Sequence, residues 1–579
     1  MSGSLFVAHG DVSQISADAL VYPTDQLGQP GHLWAAFCRH VPGFKAAYAQ
    51  ALRYKGIPEK RRLLAGETFW VPLPLGNQHR DRAPRGVVVV GVLGRNLIRG
   101  TLNREIVIAA IKTAASRLEP AADGRRLLVA MPGLRMGAAL RRRQEPEATW
   151  RARTVAAKAQ AEAAREALTL RDDLDAAFVA YTPDIYHLYE KARRETAGET
   201  GRGMVVPSPL AQAIRDGECV LFIGSGLSSG AGLPGWQALV GKMAAEIGHT
   251  QEAQGSTDYF LDMAQLYRQK RGPERLAALI RKEFGGMRAK PTLAHYLLMG
   301  LGVRHVITTN YDTLLERALT ALRRDPVKVV REEDVARTGE TGAHFVVKFH
   351  GDAEAAESAV VLSRTDYDDF FRDRPAMASL LEGLLLNQTF LFIGYSLSDP
   401  NFQQIYGRVA QILKASKRTA YAVQFDAGVS EQTRDDWKKQ QLELLDVPGQ
   451  GTEQGRHFLR FLDALAAAVS NEPKLFTGAR TGLRDALSAL GEEVSLAASR
   501  DNLSGEEVRV LASSLTFLTR HGWRPSVQHS AWETWQQLAQ QCKDDPARNR
   551  MMLREALKHT ESLQDADAVR AELGSGTLS

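Results

Sequence analysis

Short hydrophobic runs alternate with longer stretches in which apolar residues recur every three or four positions, and this holds through roughly residue 470. In the first part of the chain the runs at 5–8, 19–22, 68–71, 87–93, 127–131 and 177–181 read as strands. The stretches 33–52, 103–118 and 150–168 carry the helical period. Such alternation predicts an α/β fold with a largely parallel sheet covered on both faces. A polar, glycine-rich segment at 195–203 has no periodicity and reads as a linker. The alternation then resumes, with strands expected at 219–223, 305–308, 344–348, 359–362, 390–393 and 420–425. Beyond 471 the strand pattern stops and the chain reads as helical, with Phe517, Trp523, Trp532 and Trp535 as core candidates. Three segments result: an α/β domain over 1–200, a second over 205–470, and a small helical module over 471–579.

Composition narrows the class only slightly. The chain has 579 residues, 44% of them hydrophobic and 24% charged, as in ordinary globular proteins. Its net charge of +6 is modest for this length and leaves nucleic-acid contact open. The run Arg141, Arg142, Arg143 reads first as a solvated basic face. Three cysteines, Cys38, Cys219 and Cys542, with no CxxC pair, exclude a disulfide framework and a four-cysteine zinc site. They point to a reducing, cytoplasmic setting. The first residues lack the basic start and apolar core of a signal peptide, and the longest apolar run, 87–93, is strand length. No membrane span is expected.

The chemistry gathers in the second segment. After the strand at 219–223 comes a glycine-rich turn carrying Gly224, Ser225, Gly226, Ser228, Gly232 and Pro234, with a helix beginning near Trp236. Bare backbone N–H groups beside a helix start form a phosphate cradle. An ordinary strand–helix turn is the alternative, and no Lys-Ser/Thr pair follows to make a Walker loop. Three more motifs follow predicted strands: Thr308 with Asn310 and Asp312; Lys348 with His350 and Asp352; and Gly394 with Ser396 and Asp399. All four should meet at the carboxyl ends of one sheet, where doubly wound folds bind ligands. Histidine is the side chain that most readily takes up a proton near neutral pH, so His350 suits a base, although a satisfied core histidine has the same appearance. Asp312 suits charge balance or a helix cap, and Asp399, before Pro400, suits a turn.

In this order the four motifs resemble the sirtuin family, in particular its divergent bacterial branch associated with antiphage defence, over about 207–470. The resemblance implies a Rossmann-like domain that takes NAD as its substrate, without a metal. Gly224, Ser225, Gly226 and Ser228 would embrace the pyrophosphate, with Gly232, Pro234 and Thr308 completing the cradle. Asn310 and Asp312 would sit at the nicotinamide ribose, His350 would be the base, Gly394 and Ser396 would lie against the adenosine half, and Asp399 would be a further cofactor-binding residue. The chain lacks the zinc ribbon of deacylating sirtuins, and Thr309 stands where those usually have glutamine. Water then becomes the acceptor. The expected reaction is hydrolysis of NAD to nicotinamide and ADP-ribose by a regulated antiphage effector. A non-catalytic NAD or ADP-ribose sensor is the alternative, followed by a deacylase or ADP-ribosyltransferase. The resemblance also implies a homo-oligomer, with an ATPase or other sensor protein as a partner.

The first segment resembles a macro domain through Gly10, Asp11 and Val12, the stretch 17–25, Gly66 to Thr68, and 129–133 with Gly137. That resemblance implies an ADP-ribose pocket with Asp11 near the adenine and 133–137 near the phosphates. Asp25 stands where hydrolytic macro domains use asparagine, and an anionic side chain beside a diphosphate is unfavourable. Little hydrolase activity is expected there, and a degenerate domain kept for oligomer contacts is the alternative.

Overall fold

The computed structural model describes residues 3–469 apart from 25–31, 56, 59–60, 62, 75–83, 93–99, 135–145, 197–204, 250–256, 287–288, 340–342, 356–359, 395–405, 408–417 and 426–428. Ser396, Asp399, Asp25, Gly137, the basic run 141–143, most of the linker and the module over 471–579 lie outside the described residues.

Two sheets organise the chain. The first contains β1 (Leu5–His9), β2 (Ala19–Thr24), β3 (Thr68–Pro72), β4 (Gly86–Gly91), β5 (Leu127–Pro132) and β6 (Leu174–Ala180) in the order β1-β6-β5-β2-β4-β3. All neighbours are parallel except the edge strand β3, which runs antiparallel to β4. The second sheet contains β7 (Cys219–Ile223), β8 (His305–Thr308), β9 (Pro326–Val329), β10 (His344–Lys348), β11 (Thr389–Ile393), β12 (Ala420–Gln424) and β13 (Leu442–Asp446). Its order is β13-β12-β11-β7-β8-β10-β9, parallel throughout. Helices on both faces bury these strands, so β7 and β11 are apolar without alternation.

Two sequence expectations need correction. The helix expected over 33–52 is two helices, His32–His40 and Phe44–Tyr54, divided at Gly43 with φ +75°. Residues 360–362 are not a strand, because the Val361 N–H donates to the His350 carbonyl in a loop. Two strands also escape the hydrophobic pattern. β9 is short and half-buried, and β13, Leu-Glu-Leu-Leu-Asp at one edge of the sheet, mixes acidic with apolar residues.

Residues 1–470 form one compact unit whose largest apolar core runs from the first sheet to the second. The helix Leu293–Gly300 sits at this junction and buries every residue but the last. A helix apolar on all sides must be enclosed, and this one packs on β1 and on the helix Gly451–Val469. Tyr296 at its centre donates its hydroxyl to the Asp11 carbonyl at 2.9 Å. A Cβ on Gly10 (φ +146°) would lie 2.3 Å from the Tyr296 ring, so the close approach requires glycine there. Ser16 N–H donates to the Pro291 carbonyl at 2.8 Å, and the half-buried Lys290 ammonium to the Ser13 carbonyl at 2.9 Å. Residues 10–16, which include the Asp11 expected near adenine, therefore pack against the elements of the second sheet. The Asp11 carboxylate itself accepts from Ser13 N–H, Ser13 Oγ and Gln14 Nε2 within its own turn.

Candidate active site

β7 and β11 are neighbours, yet the chain continues from β7 to one side of the sheet and from β11 to the other. Their carboxyl ends therefore mark the point where strand order reverses. The glycine-rich segment after β7 is tighter than an open loop, with residues Ser225–Ser229 forming a helical turn. The turn is locked to the end of β11 by main chain alone: Gly224 N–H donates to Ile393 O and Gly226 N–H to Gly394 O, each at 2.9 Å. A Cβ on Gly226 would lie 2.9 Å from Gly394 Cα, and one on Gly394 (φ +62°) 2.5 Å from Leu227 N. Both glycines are thus required by backbone contact, whatever they bind. Gly232 follows with φ +86°, and Ser225, Gly232 and Pro234 are half-buried beside it.

Side chains stitch the end of β8 to this turn. Buried Thr308 donates its hydroxyl to the Ile223 carbonyl at 2.9 Å and accepts the Asn310 N–H at 3.0 Å. Asn310, 6% exposed, donates Nδ2 to the Gly224 carbonyl at 3.1 Å and to Ser228 Oγ at 3.0 Å. A carbonyl can only accept, so these bonds fix which end of the amide is nitrogen. The other end, Oδ1, is buried without a hydrogen-bond partner. Native proteins rarely leave such an acceptor unused, because burying it unpaired costs about 1–3 kcal/mol. A ribose hydroxyl or a water is a fitting donor.

Asp312 accepts the Leu314 N–H at 3.0 Å from just ahead of the helix Leu314–Ala321, whose N-cap position is Thr313. His350 follows β10 and is buried, with Gly351 (φ +96°) turning the chain behind it. Two main-chain bonds tie this turn to the one bearing Asn310: Phe349 N–H to Thr308 O and Ala353 N–H to Tyr311 O, both 2.9 Å. Asn310, Asp312, His350, Gly224, Ser228 and Gly394 are thereby brought to one end of the sheet.

His295 is a neighbour that the motif pattern did not single out. It is fully buried, and its Nδ1 accepts the Thr292 N–H at 3.2 Å, which puts the neutral ring's proton on Nε2. That Nε2 has no hydrogen-bond partner. Burial pulls the His295 pKa down to about 4, against the pull of the Asp312 charge and with the help of Arg317. Only its spacing from Thr292, as a capping pair, was visible in sequence. A separate cavity of about 500 Å³ opens behind the glycine turn, lined by Gly226, Leu227, Ser229, Arg126, Asp175 and Arg456 among others, and without Asn310 or His350. Among the described residues no group of His, Cys, Asp and Glu is arranged to hold a metal ion, and no helix is long and apolar enough to cross a membrane.

Comparison with known proteins finds similarity over this part of the chain. Residues 304–445 match the model of the SIR2-like domain. The chain is 31% identical over 227 residues to the NAD(+) hydrolase ThsA of Cytobacillus dafuensis, covering 39% of this chain and 45% of that protein. It is 31% identical over 217 residues to the NAD(+) hydrolase ThsA of Enterococcus faecium, covering 37% and 44%. Defense-associated sirtuin 2 of Bacillus subtilis is 28% identical over 220 residues, covering 38% of this chain and 22% of that protein. The matches thus span less than half the length of each relative. Among solved structures, the Oceanobacillus iheyensis macrodomain with ADP aligns over 34% of this chain and 92% of its own, at 14% identity and a TM-score of 0.25. Asn310, Asp312, His350 and Gly394 all fall inside the segment that is similar to a SIR2-like domain.

Proposed function

We propose that the protein hydrolyses NAD to nicotinamide and ADP-ribose and serves as a regulated effector of antiphage defence. The observation that carries this reading is Asn310: its amide nitrogen is fixed on the glycine turn while its buried Oδ1 is left without a partner. The names of the relatives, NAD(+) hydrolase and defense-associated sirtuin, support it.

The chemistry asks little of the protein in acid catalysis. Nicotinamide leaves as a neutral ring, taking both electrons of the glycosidic C–N bond and leaving an oxocarbenium-like ribose. Asn310 Oδ1 accepts from a ribose hydroxyl or from the attacking water and so orients it. The water oxygen bonds to the anomeric carbon, and His350 removes the water's proton. Asp312 adds negative charge beside the developing cation. The glycine turn, with Gly224, Ser225, Gly226 and Ser228, takes the pyrophosphate, while Gly232, Pro234, Thr308, Gly394, Ser396 and Asp399 complete the NAD site. Hydrolysis of a shared cofactor must be held in check, which fits a cytoplasmic homo-oligomer answering to a sensor protein.

The direct test follows nicotinamide release from NAD by the purified protein beside its Asn310→Ala and His350→Ala variants. Release by the wild type alone is expected. Equal rates in all three proteins would refute the assignment, and tight NAD binding with no release would favour a sensor.

A further inference from the structure

Lys348 ends β10 two residues before His350, and its side chain is completely buried. Its ammonium donates to the Asp312 carbonyl at 2.5 Å and the Tyr311 carbonyl at 3.3 Å. It also lies 3.2 Å from Asp352 Oδ2 and 3.3 Å from Glu316 Oε1. Of these four oxygens, the two that belong to the main chain of the turn carrying Asn310 accept hydrogen bonds from the ammonium, and the carboxylates add charge contacts. We propose that Lys348 is a positioning residue that pins the 310–312 turn against the strand end bearing His350, and so sets the amide and the imidazole in register. This rests on the hydrolase reading above.

A buried ion pair kept only for stability would not need those carbonyls. Such pairs are often replaced by apolar side chains without loss, because desolvation offsets their attraction. Here Asp352 is already matched, since Lys328 Nζ lies 2.8 Å from the same oxygen and Glu354 N–H donates to the other at 2.8 Å. Neither oxygen of Glu316 has a hydrogen-bond partner, and burial raises its pKa even with Lys348 beside it. Burial also opposes the charge on Lys348, but Glu316, Asp352 and Asp312 outweigh it and hold the ammonium above the usual lysine range. The charge persists, and its shortest contact is to the turn's backbone. The main-chain bonds from Phe349 to Thr308 and from Ala353 to Tyr311 hold residues 308 and 311, and the lysine adds the Asp312 carbonyl, which neither of them reaches.

Removing Lys348 alone would leave Glu316 buried without its counter-charge, so the informative variant is Lys348→Met with Glu316→Gln, compared with Glu316→Gln alone. Lys348→Gln with Glu316→Gln keeps an amide donor in the slot, so both readouts are expected to lie between those of the Met variant and of Glu316→Gln alone. Two readouts apply: amide hydrogen exchange across 309–313 by mass spectrometry, and steady-state NAD cleavage. Exchange there is expected to rise about tenfold or more on losing the pinning contact. The kcat is expected to fall about 100-fold with KM within about threefold, as for a misplaced catalytic group. Unchanged exchange, or a kcat within about twofold of Glu316→Gln, would overturn the proposal. If the wild type releases no nicotinamide, the hydrolase reading fails, while exchange still decides whether Lys348 holds the turn.

Discussion

Replacing Asn310 by alanine should remove activity while hardly changing stability, and the two magnitudes follow from the same amide. The side chain makes two hydrogen bonds, to the Gly224 carbonyl and to Ser228 Oγ. Each contributes about 1 kcal/mol net, so their loss costs about 2 kcal/mol. The substitution also removes the buried, unpartnered Oδ1, which relieves about 1–3 kcal/mol. The sum lies within about 1 kcal/mol of zero, or a shift of about 3 °C or less in the melting midpoint. Loss of one oriented polar group at a reacting centre lowers turnover by about 100-fold or more. Thermal melts by circular dichroism and nicotinamide release by chromatography read the two quantities on one preparation. A drop in stability above about 4 kcal/mol would make Asn310 a structural residue. Turnover within tenfold of the wild type would remove it from the chemistry.

Other outcomes follow from single contacts. Gly394→Ala forces φ +62° on a residue with a Cβ and places that atom 2.5 Å from Leu227 N; a cost of at least about 2 kcal/mol in urea unfolding is expected, with weaker NAD binding by calorimetry. His295 has a folded pKa of about 4, below its unfolded value, so the unfolded chain takes up the proton first as pH falls. Stability is therefore lost between about pH 6.5 and pH 4, by about 3 kcal/mol from this residue. Urea melts at the two ends of that range should show a smaller acid loss in His295→Gln, and equal losses would contradict the assignment. Tyr296→Phe deletes the bond to the Asp11 carbonyl and should cost about 1 kcal/mol without changing NAD turnover. An unchanged melt would place the grip between the two sheets elsewhere.

Much of the second sheet was legible because its strands are buried on both faces and read as short apolar runs. Their ends carry glycine, asparagine and histidine in an order that points to one crevice. What escaped was set by contacts distant in sequence. The apolar stretch 360–362 looked like a strand, but Val361 is held by the His350 carbonyl. The half-buried β9 and the β13 edge strand with its acidic residues gave too weak a pattern. Nothing local shows that Gly226 and Gly394 must be bare because their backbones touch, or that Gly10 makes room for Tyr296. Lys348 read as the opening residue of a motif, and its hold on the Asp312 carbonyl becomes visible only when β8 and β10 lie side by side. His295 had no motif of its own and acquires significance from its burial near Asp312.

The most direct test is the NAD content of cells expressing the wild-type chain, Asn310→Ala or His350→Ala, measured before and after phage challenge. NAD should collapse after challenge in wild-type cells and hold steady in both variants. Collapse in the variants as well, or steady NAD in all three lines while the wild type still protects against phage, would contradict NAD hydrolysis at this site.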